Sequence, residues 1–233
     1  MLETRDLTLH YGGSQILNGI SMRAERGEVT CLMGTNGVGK TSLMKAISGN
    51  HARSGGAMML DGQDVPVLPP HRLAQMGIGY VPQGRMIFPL LTVRDNLETG
   101  FACLPKADRA IPDRIFDLFP VLKDMEHRRG GDLSGGQQQQ LAIARALIAR
   151  PRVLLMDEPT EGIQPNIIQL IGRVIRQLRE EGEMAIILVE QYFDFAFDLA
   201  DRFYVLSRGS VVLAKARSET DKAEVQQAFD LNS

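Results

Sequence analysis

The chain has 233 residues, 44% hydrophobic and 23% charged, which excludes a disordered or fibrous protein and leaves a globular one with a real core. A formal net charge of -2 excludes a strong global field for nucleic acid or anionic lipid. No apolar stretch reaches bilayer length, and the charged start Met1-Leu2-Glu3-Thr4-Arg5-Asp6 lacks the apolar centre of a signal peptide. Cys31 and Cys103 form no pair pattern, and Cys31 lies in an apolar run as a small buried residue. The chain is therefore read as cytoplasmic, so that any membrane process requires a partner that crosses the bilayer.

In chain order, Leu2 to Met22 and Ala57 to Asp64 carry Gly-Gly and Asp-Gly turn signals and are expected to form antiparallel strands, with Leu7 to Tyr11 rich in strand formers. Val29 to Met33, Ile78 to Val81, Val153 to Asp157, Ala185 to Val189 and Arg202 to Leu206 are short, mostly apolar runs of the kind buried on both faces of a sheet. Between about Gly84 and Arg150 helix patterns dominate, and Thr92 with Asp95 is spaced as a capping box. Ile167, Ile168, Ile171, Val174, Ile175 and Leu178 recur at helical steps, with Arg173, Arg176 and Arg179 on the other side. Strands alternating with helices predict an α/β fold with a mostly parallel sheet. Residues 1–233 are read as one domain, with an antiparallel β front and a helical insertion over residues 85–150.

Gly34-Thr35-Asn36-Gly37-Val38-Gly39-Lys40-Thr41 matches the phosphate-loop pattern G-x-x-x-x-G-K-[ST], between an apolar strand and an amphipathic stretch, Thr41 to Ile47. The glycines let successive backbone N–H groups turn toward phosphate oxygens, and the helix adds its positive end. Lys40 is expected at the β- and γ-phosphates and the Thr41 hydroxyl on Mg²⁺. Val153-Leu154-Leu155-Met156 then runs into Asp157 and Glu158. Two acids at the C-terminal end of a buried strand stand where open α/β sheets bind ligands. Asp157 suits a water-bridged Mg²⁺ and Glu158 a general base for an attacking water.

Leu133-Ser134-Gly135-Gly136-Gln137 precedes an Ala/Leu/Ile/Gln-rich helix, Gln138 to Ala149, upstream of the Asp157 strand, with Ser134 as a candidate cap. With this pentapeptide the chain resembles the ABC ATPase family over essentially its whole length. The resemblance implies a P-loop ATPase fold with parallel core, antiparallel β subdomain and helical subdomain. It also implies a head-to-tail dimer in which Ser134, Gly135, Gly136 and Gln137 contact ATP held by the opposite subunit. It adds Ser42 to the nucleotide site, Tyr11 as an aromatic that stacks on adenine, and Gln83 as a glutamine joining the metal site to the membrane-facing surface. For Tyr11 a place in the core is the competing expectation.

Two departures mark the subfamily. Gln191 stands where most ABC ATPases have a histidine facing the γ-phosphate, and the four histidines, at positions 10, 51, 71 and 127, are elsewhere. An amide can donate a hydrogen bond there but cannot carry a proton. Glu161-Gly162-Ile163-Gln164-Pro165 puts Gln164 where the family has an aspartate. Val189-Glu190-Gln191 resembles the ATPases of branched-chain amino acid importers, and the two segments Glu161 to Ile168 and Val189 to Ala196 resemble the relative serving urea or short-chain amide uptake. The resemblance implies a peripheral subunit on the cytoplasmic face of the inner membrane that binds ATP and Mg²⁺. Its partners would be transmembrane permease subunits, a second non-identical ATPase and, indirectly, a solute-binding protein, with a homodimer open to the isolated chain. Urea is the expected solute and branched-chain amino acids the alternative. A chromosome-associated ATPase is disfavoured by the lack of a coiled-coil insertion or basic face, and a regulatory module with little hydrolysis has only Gln191 in its support.

Overall fold

A computed structural model describes residues 1–231. The alternating start forms β1 (Leu2–Tyr11) and β2 (Ser14–Ala24), paired antiparallel across Gly12-Gly13. β3 (Val29–Met33), buried at every position, leads through the phosphate loop into α1 (Lys40–Ser48). β4 (Gly55–Leu60) and β5 (Gln63–Asp64) pair antiparallel across Asp61-Gly62, which supplies two positive φ angles, 50° and 78°. α2 (Pro70–Gln75) and β6 (Ile78–Val81) follow. The next segment is helical: α3 (Val93–Glu98), α4 (Asp113–Leu118), α5 (Pro120–Asp124) and α6 (Gly135–Ile148), joined by short 3-10 turns. The Thr92 capping box forms, with the Asp95 N–H donating to Thr92 Oγ1 at 3.0 Å. β7 (Val153–Asp157), α7 (Pro165–Glu181), β8 (Ala185–Val189), α8 (Phe193–Leu199), β9 (Arg202–Ser207), β10 (Ser210–Ala216) and α9 (Lys222–Asp230) complete the order.

Two sheets result. The antiparallel one runs β2-β1-β4-β5; the other runs β10-β9-β3-β8-β7-β6, parallel except for β10 at its edge. The parallel strands are apolar on both faces because both faces are covered. Val153, Leu155, Ile187 and Val189 pack toward α1 and the antiparallel sheet, while Leu154, Met156, Ile186 and Leu188 pack toward α6 and α7. On α7 the predicted face is the one that packs: Ile171, Val174, Ile175 and Leu178 are buried and Arg173 and Arg176 exposed.

The structure departs from the sequence reading at one helix boundary and beyond Leu206. The helix after the pentapeptide starts at Gly135 and not Gln138, because Ser134 caps it and Gln137 closes the capping box. β10 and α9 lie beyond Leu206, where no element was expected. β10 carries no run of buried residues, being an edge strand with half-exposed positions. The β9–β10 turn has a tertiary task. The Gly209 N–H donates to the Val38 carbonyl in the phosphate loop (3.0 Å), and the Gly209 carbonyl accepts from the Asn18 N–H on β2 (2.8 Å). Gly209 sits at φ 77°, and a Cβ there would lie 2.0 Å from the Ile16 carbonyl oxygen. Gly209→Ala is therefore expected to lower stability by about 1–3 kcal/mol, the range for an unfavourable backbone conformation, and to weaken ATP binding. Chemical denaturation and a nucleotide titration check both; a parent-like value in each means that the turn does not support the loop.

Candidate active site

The phosphate loop fills the gap between the C-terminal end of β3 and the first turn of α1. Gly34 and Gly39 hold positive φ (147° and 109°), and a Cβ would meet the Leu206 carbonyl oxygen at 2.5 Å and Leu17 Cδ2 at 2.8 Å respectively. A side chain at Gly34 would strike backbone, and at either place the positive φ would strain it. The Val38 side chain turns into the core, so only its backbone can face a ligand. Lys40 is 4% exposed and bends back over the loop, donating to the carbonyls of Gly34 (2.7 Å) and Thr35 (2.8 Å), with its ammonium 3.9 Å from Glu158 Oε1. Burial lowers its pKa, and the neighbouring Glu158, Asp157 and Glu190 pull it back up. A cavity of about 180 Å³ opens here, lined by Asn36, Gly37, Gly39, Lys40, Thr41 and Ser42 with Gln83 and Glu158 facing them.

Asp157, at the end of β7, is 1% exposed. Its Oδ1 accepts from the Thr41 hydroxyl and its Oδ2 from the Tyr80 hydroxyl, each at 3.3 Å. Burial pushes the Asp157 carboxyl up, against the Thr41 bond that lowers it, and burial followed by Asp157 itself pushes the Tyr80 phenol up. Tyr80 had no role in the sequence reading; its place on β6 beside β7 brings it to the acid. Among the described residues no cluster of three or more His, Cys, Asp and Glu could hold a metal by itself. A hydroxyl and an under-compensated buried carboxylate do suit Mg²⁺, a hard cation that keeps waters and takes substrate phosphate oxygens.

Glu158 is 9% exposed and sits at φ 50°, an uncommon conformation for a side-chain-bearing residue, fixed by its N–H donating to the Val189 carbonyl at 3.0 Å. Both carboxylate oxygens are held. Gln191 Nε2 donates to Oε1 at 2.5 Å, and Gln83 Nε2 to Oε2 at 3.2 Å. The same Gln191 nitrogen reaches Asn36 Oδ1 at 2.8 Å, and the Gln83 nitrogen reaches Glu161 Oε2 at 3.0 Å. The expectation aimed Gln191 at phosphate and Gln83 at metal; in addition, their amide nitrogens tie Glu158 to the phosphate loop and to the Glu161 turn. A cavity of about 500 Å³ beside Glu158 is bounded by these residues and by Thr160, Glu190 and Tyr192. Glu190 is 2% exposed, and sequence reasoning assigned it no role. Its signal was available: it ends an apolar strand as Asp157 does.

One part of the expected site lies apart. Ser134, Gly135, Gly136 and Gln137 line a separate cavity of about 490 Å³ with Gly162 and Gln164, so one chain does not bring them to its own phosphate loop. Tyr11 is 40% exposed at the end of β1 and is not a core tyrosine; its ring lies 4.4 Å from that of His51, which accompanies it unforeseen. Among the described residues no helix is long and apolar enough to cross a membrane.

Known proteins resemble this arrangement throughout its length. The family model described as ABC transporter matches residues 17–161. The high-affinity branched-chain amino acid transport ATP-binding protein BraG of Pseudomonas aeruginosa is 40% identical over 214 residues, 91% of this chain and 91% of that protein. The probable branched-chain amino acid transport ATP-binding protein LivF of Archaeoglobus fulgidus is 35% identical over 222 residues, 94% of this chain and 93% of that protein. A dimeric structure of a bacterial ABC transporter cassette superposes with a TM-score of 0.81 at 25% identity, covering 93% of this chain and 98% of that one. Because the family match runs through the phosphate loop and the paired acids, and the likeness covers nine-tenths of two relatives, the chain belongs to the ABC transporter family as one of its ATP-hydrolysing, ATP-binding subunits.

Proposed function

We propose that residues 1–233 act as one cassette that drives a branched-chain amino acid importer. The observation carrying the hydrolytic part is that Glu158 stands with both oxygens fixed beside the phosphate loop. The identities to BraG and LivF over nine-tenths of each chain support the solute. They favour branched-chain amino acids over the urea expected from the Glu161 to Ile168 and Val189 to Ala196 segments, which cover a small part of the chain.

Bound MgATP supplies the phosphoryl group to be transferred and the charge that stabilises its departure. The loop amides from Gly34 to Ser42 receive phosphate oxygens, and Lys40 swings its ammonium from the Gly34 and Thr35 carbonyls onto them. Thr41 and Asp157 would hold the metal, which when bound supplies charge stabilisation for the phosphoryl oxygens. Glu158 accepts the proton of the attacking water, with Gln191 and Gln83 fixing its aim. Tyr11 stacks on adenine. Ser134, Gly135, Gly136 and Gln137 complete the site of the other subunit, a second non-identical ATPase in the transporter, with a homodimer open to the isolated chain. The exposed Met86, Phe88, Leu90 and Leu91 follow directly on Gln83, beside an apolar cavity of about 570 Å³. This face docks the permease subunits at the cytoplasmic side of the inner membrane, and an external solute-binding protein delivers the cargo.

Glu158→Gln is expected to keep ATP affinity and lower hydrolysis by about 10²- to 10⁴-fold, the contribution of a general base; turnover within a factor of two of the parent removes Glu158 from that role. Lys40→Ala is expected to abolish tight MgATP binding, and unchanged affinity in a titration rules the loop out as the triphosphate site. Gln191→Ala is expected to cost roughly 10- to 150-fold in rate, the value of a hydrogen bond to a charged group felt in the transition state, whereas Gln191→His keeps a donor and most of the activity. Parent-like hydrolysis by Gln191→Ala in the assembled complex removes that role. For the solute, ATPase stimulation in the reconstituted transporter is expected with leucine and its solute-binding protein; stimulation by urea instead overturns the branched-chain assignment.

A further inference from the structure

We propose that Glu190 is a positioning residue for hydrolysis, its buried carboxylate locking the turn after Glu158 to the segment that carries Gln191. Past the last sheet pairing at Asp157 and Val189, few backbone bonds join these two segments. Glu190 fills the gap. Its Oε1 accepts from the Thr160 hydroxyl (2.8 Å) and the Thr160 N–H (3.2 Å), and its Oε2 accepts from the N–H groups of Gln191 (3.2 Å) and Tyr192 (3.4 Å). Its own N–H donates to the Leu32 carbonyl on β3 at 3.4 Å, next to the strand's exit into the phosphate loop. The side chain thus joins the turn after Glu158 to the Gln191 segment, and the backbone N–H of the same residue ties both to β3.

The arrangement calls for a carboxylate in particular. Four donors converge on it, and only an ionised acid offers acceptors at both ends with no hydrogen to place. A glutamine would satisfy one pair and turn its own N–H groups against the other. The backbone at Gln191 is one anchor of the amide that reaches Glu158 at 2.5 Å and Asn36 at 2.8 Å, so loosening Oε2 loosens the aim of Gln191.

The same burial makes Glu190 sensitive to pH. Burial raises its carboxyl from an ordinary 4.5 to about 7, against the lowering effect of the Thr160, Tyr192 and Gln191 bonds. The charged or titratable groups that face it are Cys31 on β3, whose thiol is pushed up by burial and then by Glu190, and Lys40 on α1, with Glu158 across the cavity. The accepting form is the ionised one, so activity falls as pH drops through about 7. Stability runs the other way. With the folded value above the unfolded one, the contribution of this group is fully present below pH 4.5 and is lost as pH rises through about 7.

The inference rests on the proposed roles of Glu158 and Gln191, and the test is run on the assembled transporter with Glu158→Gln as the control. Glu190→Gln is expected to lower kcat about 10- to 100-fold, the scale of a misplaced catalytic group, with KM for ATP within a factor of two. In a Gln191→Ala background the same change is expected to cost nothing further, because the residue through which it acts is gone. The acid limb near pH 7 in the parent kcat profile is expected to vanish in both single variants. Parent-like kcat in Glu190→Gln, or an equal loss in the Gln191→Ala background, overturns the proposal. If Glu190→Gln does not fold, an acid limb unchanged in Gln191→Ala overturns it and the loss of that limb supports it. Glu158→Gln at parent rate overturns the hydrolytic reading itself; an inactive Glu158→Gln beside a parent-like Glu190→Gln overturns only the role of Glu190.

Discussion

Parallel pairing of β3, β8 and β7 is the constraint on which the site depends. Leu32 pairs with Val189, and Val189 with Asp157, so three neighbouring strands end together. The segments leaving these ends are forced to one edge: the phosphate loop after β3, Glu190 and Gln191 after β8, and Glu158 after β7. Residues far apart in the chain become hydrogen-bond partners because the backbone ladders beneath them are in register. A one-residue slip in β8 would exchange its two packed faces and carry Gln191 out of reach of Glu158.

That edge concentrates charge in a place that solvates it poorly. Lys40, Asp157, Glu158 and Glu190 are all buried, three carboxylates against one ammonium. Burial displaces Asp157 and Glu190 upward, and a ring of donors holds the three acids, from Thr41, Tyr80, Thr160, Gln83 and the Gln191 segment. Such a cluster costs stability by itself. A divalent cation held by Thr41 and Asp157 would offset part of the cost, and Lys40 rests on the Gly34 and Thr35 carbonyls and beside Glu158. The site is thus arranged for its charged ligand more than for the stability of the empty protein.

Support for the edge comes from elements with no chemistry of their own. The turn at Gly209 fastens the phosphate loop to β2, so the antiparallel sheet and the parallel sheet are tied together beside the loop. Ser134 to Gln137 stand apart from the phosphate loop of their own chain, in keeping with the dimeric cassette structure that this chain resembles.

The sequence by itself determined the parallel core, the phosphate loop, the paired acids and the caps at Thr92 and Ser134. Each is written locally, in a short apolar run, a glycine spacing or a side chain that satisfies the N–H three residues on. Tertiary structure alone decided that Gln191 and Gln83 grip Glu158, that Tyr80 donates to Asp157, that Gly209 supports the loop and that Glu190 joins three segments. These pairings lie many residues apart in the chain, and no periodicity encodes which strand end faces which. They exist only once strand register has fixed the neighbours, and a buried polar side chain bonds to whatever donor the fold places beside it.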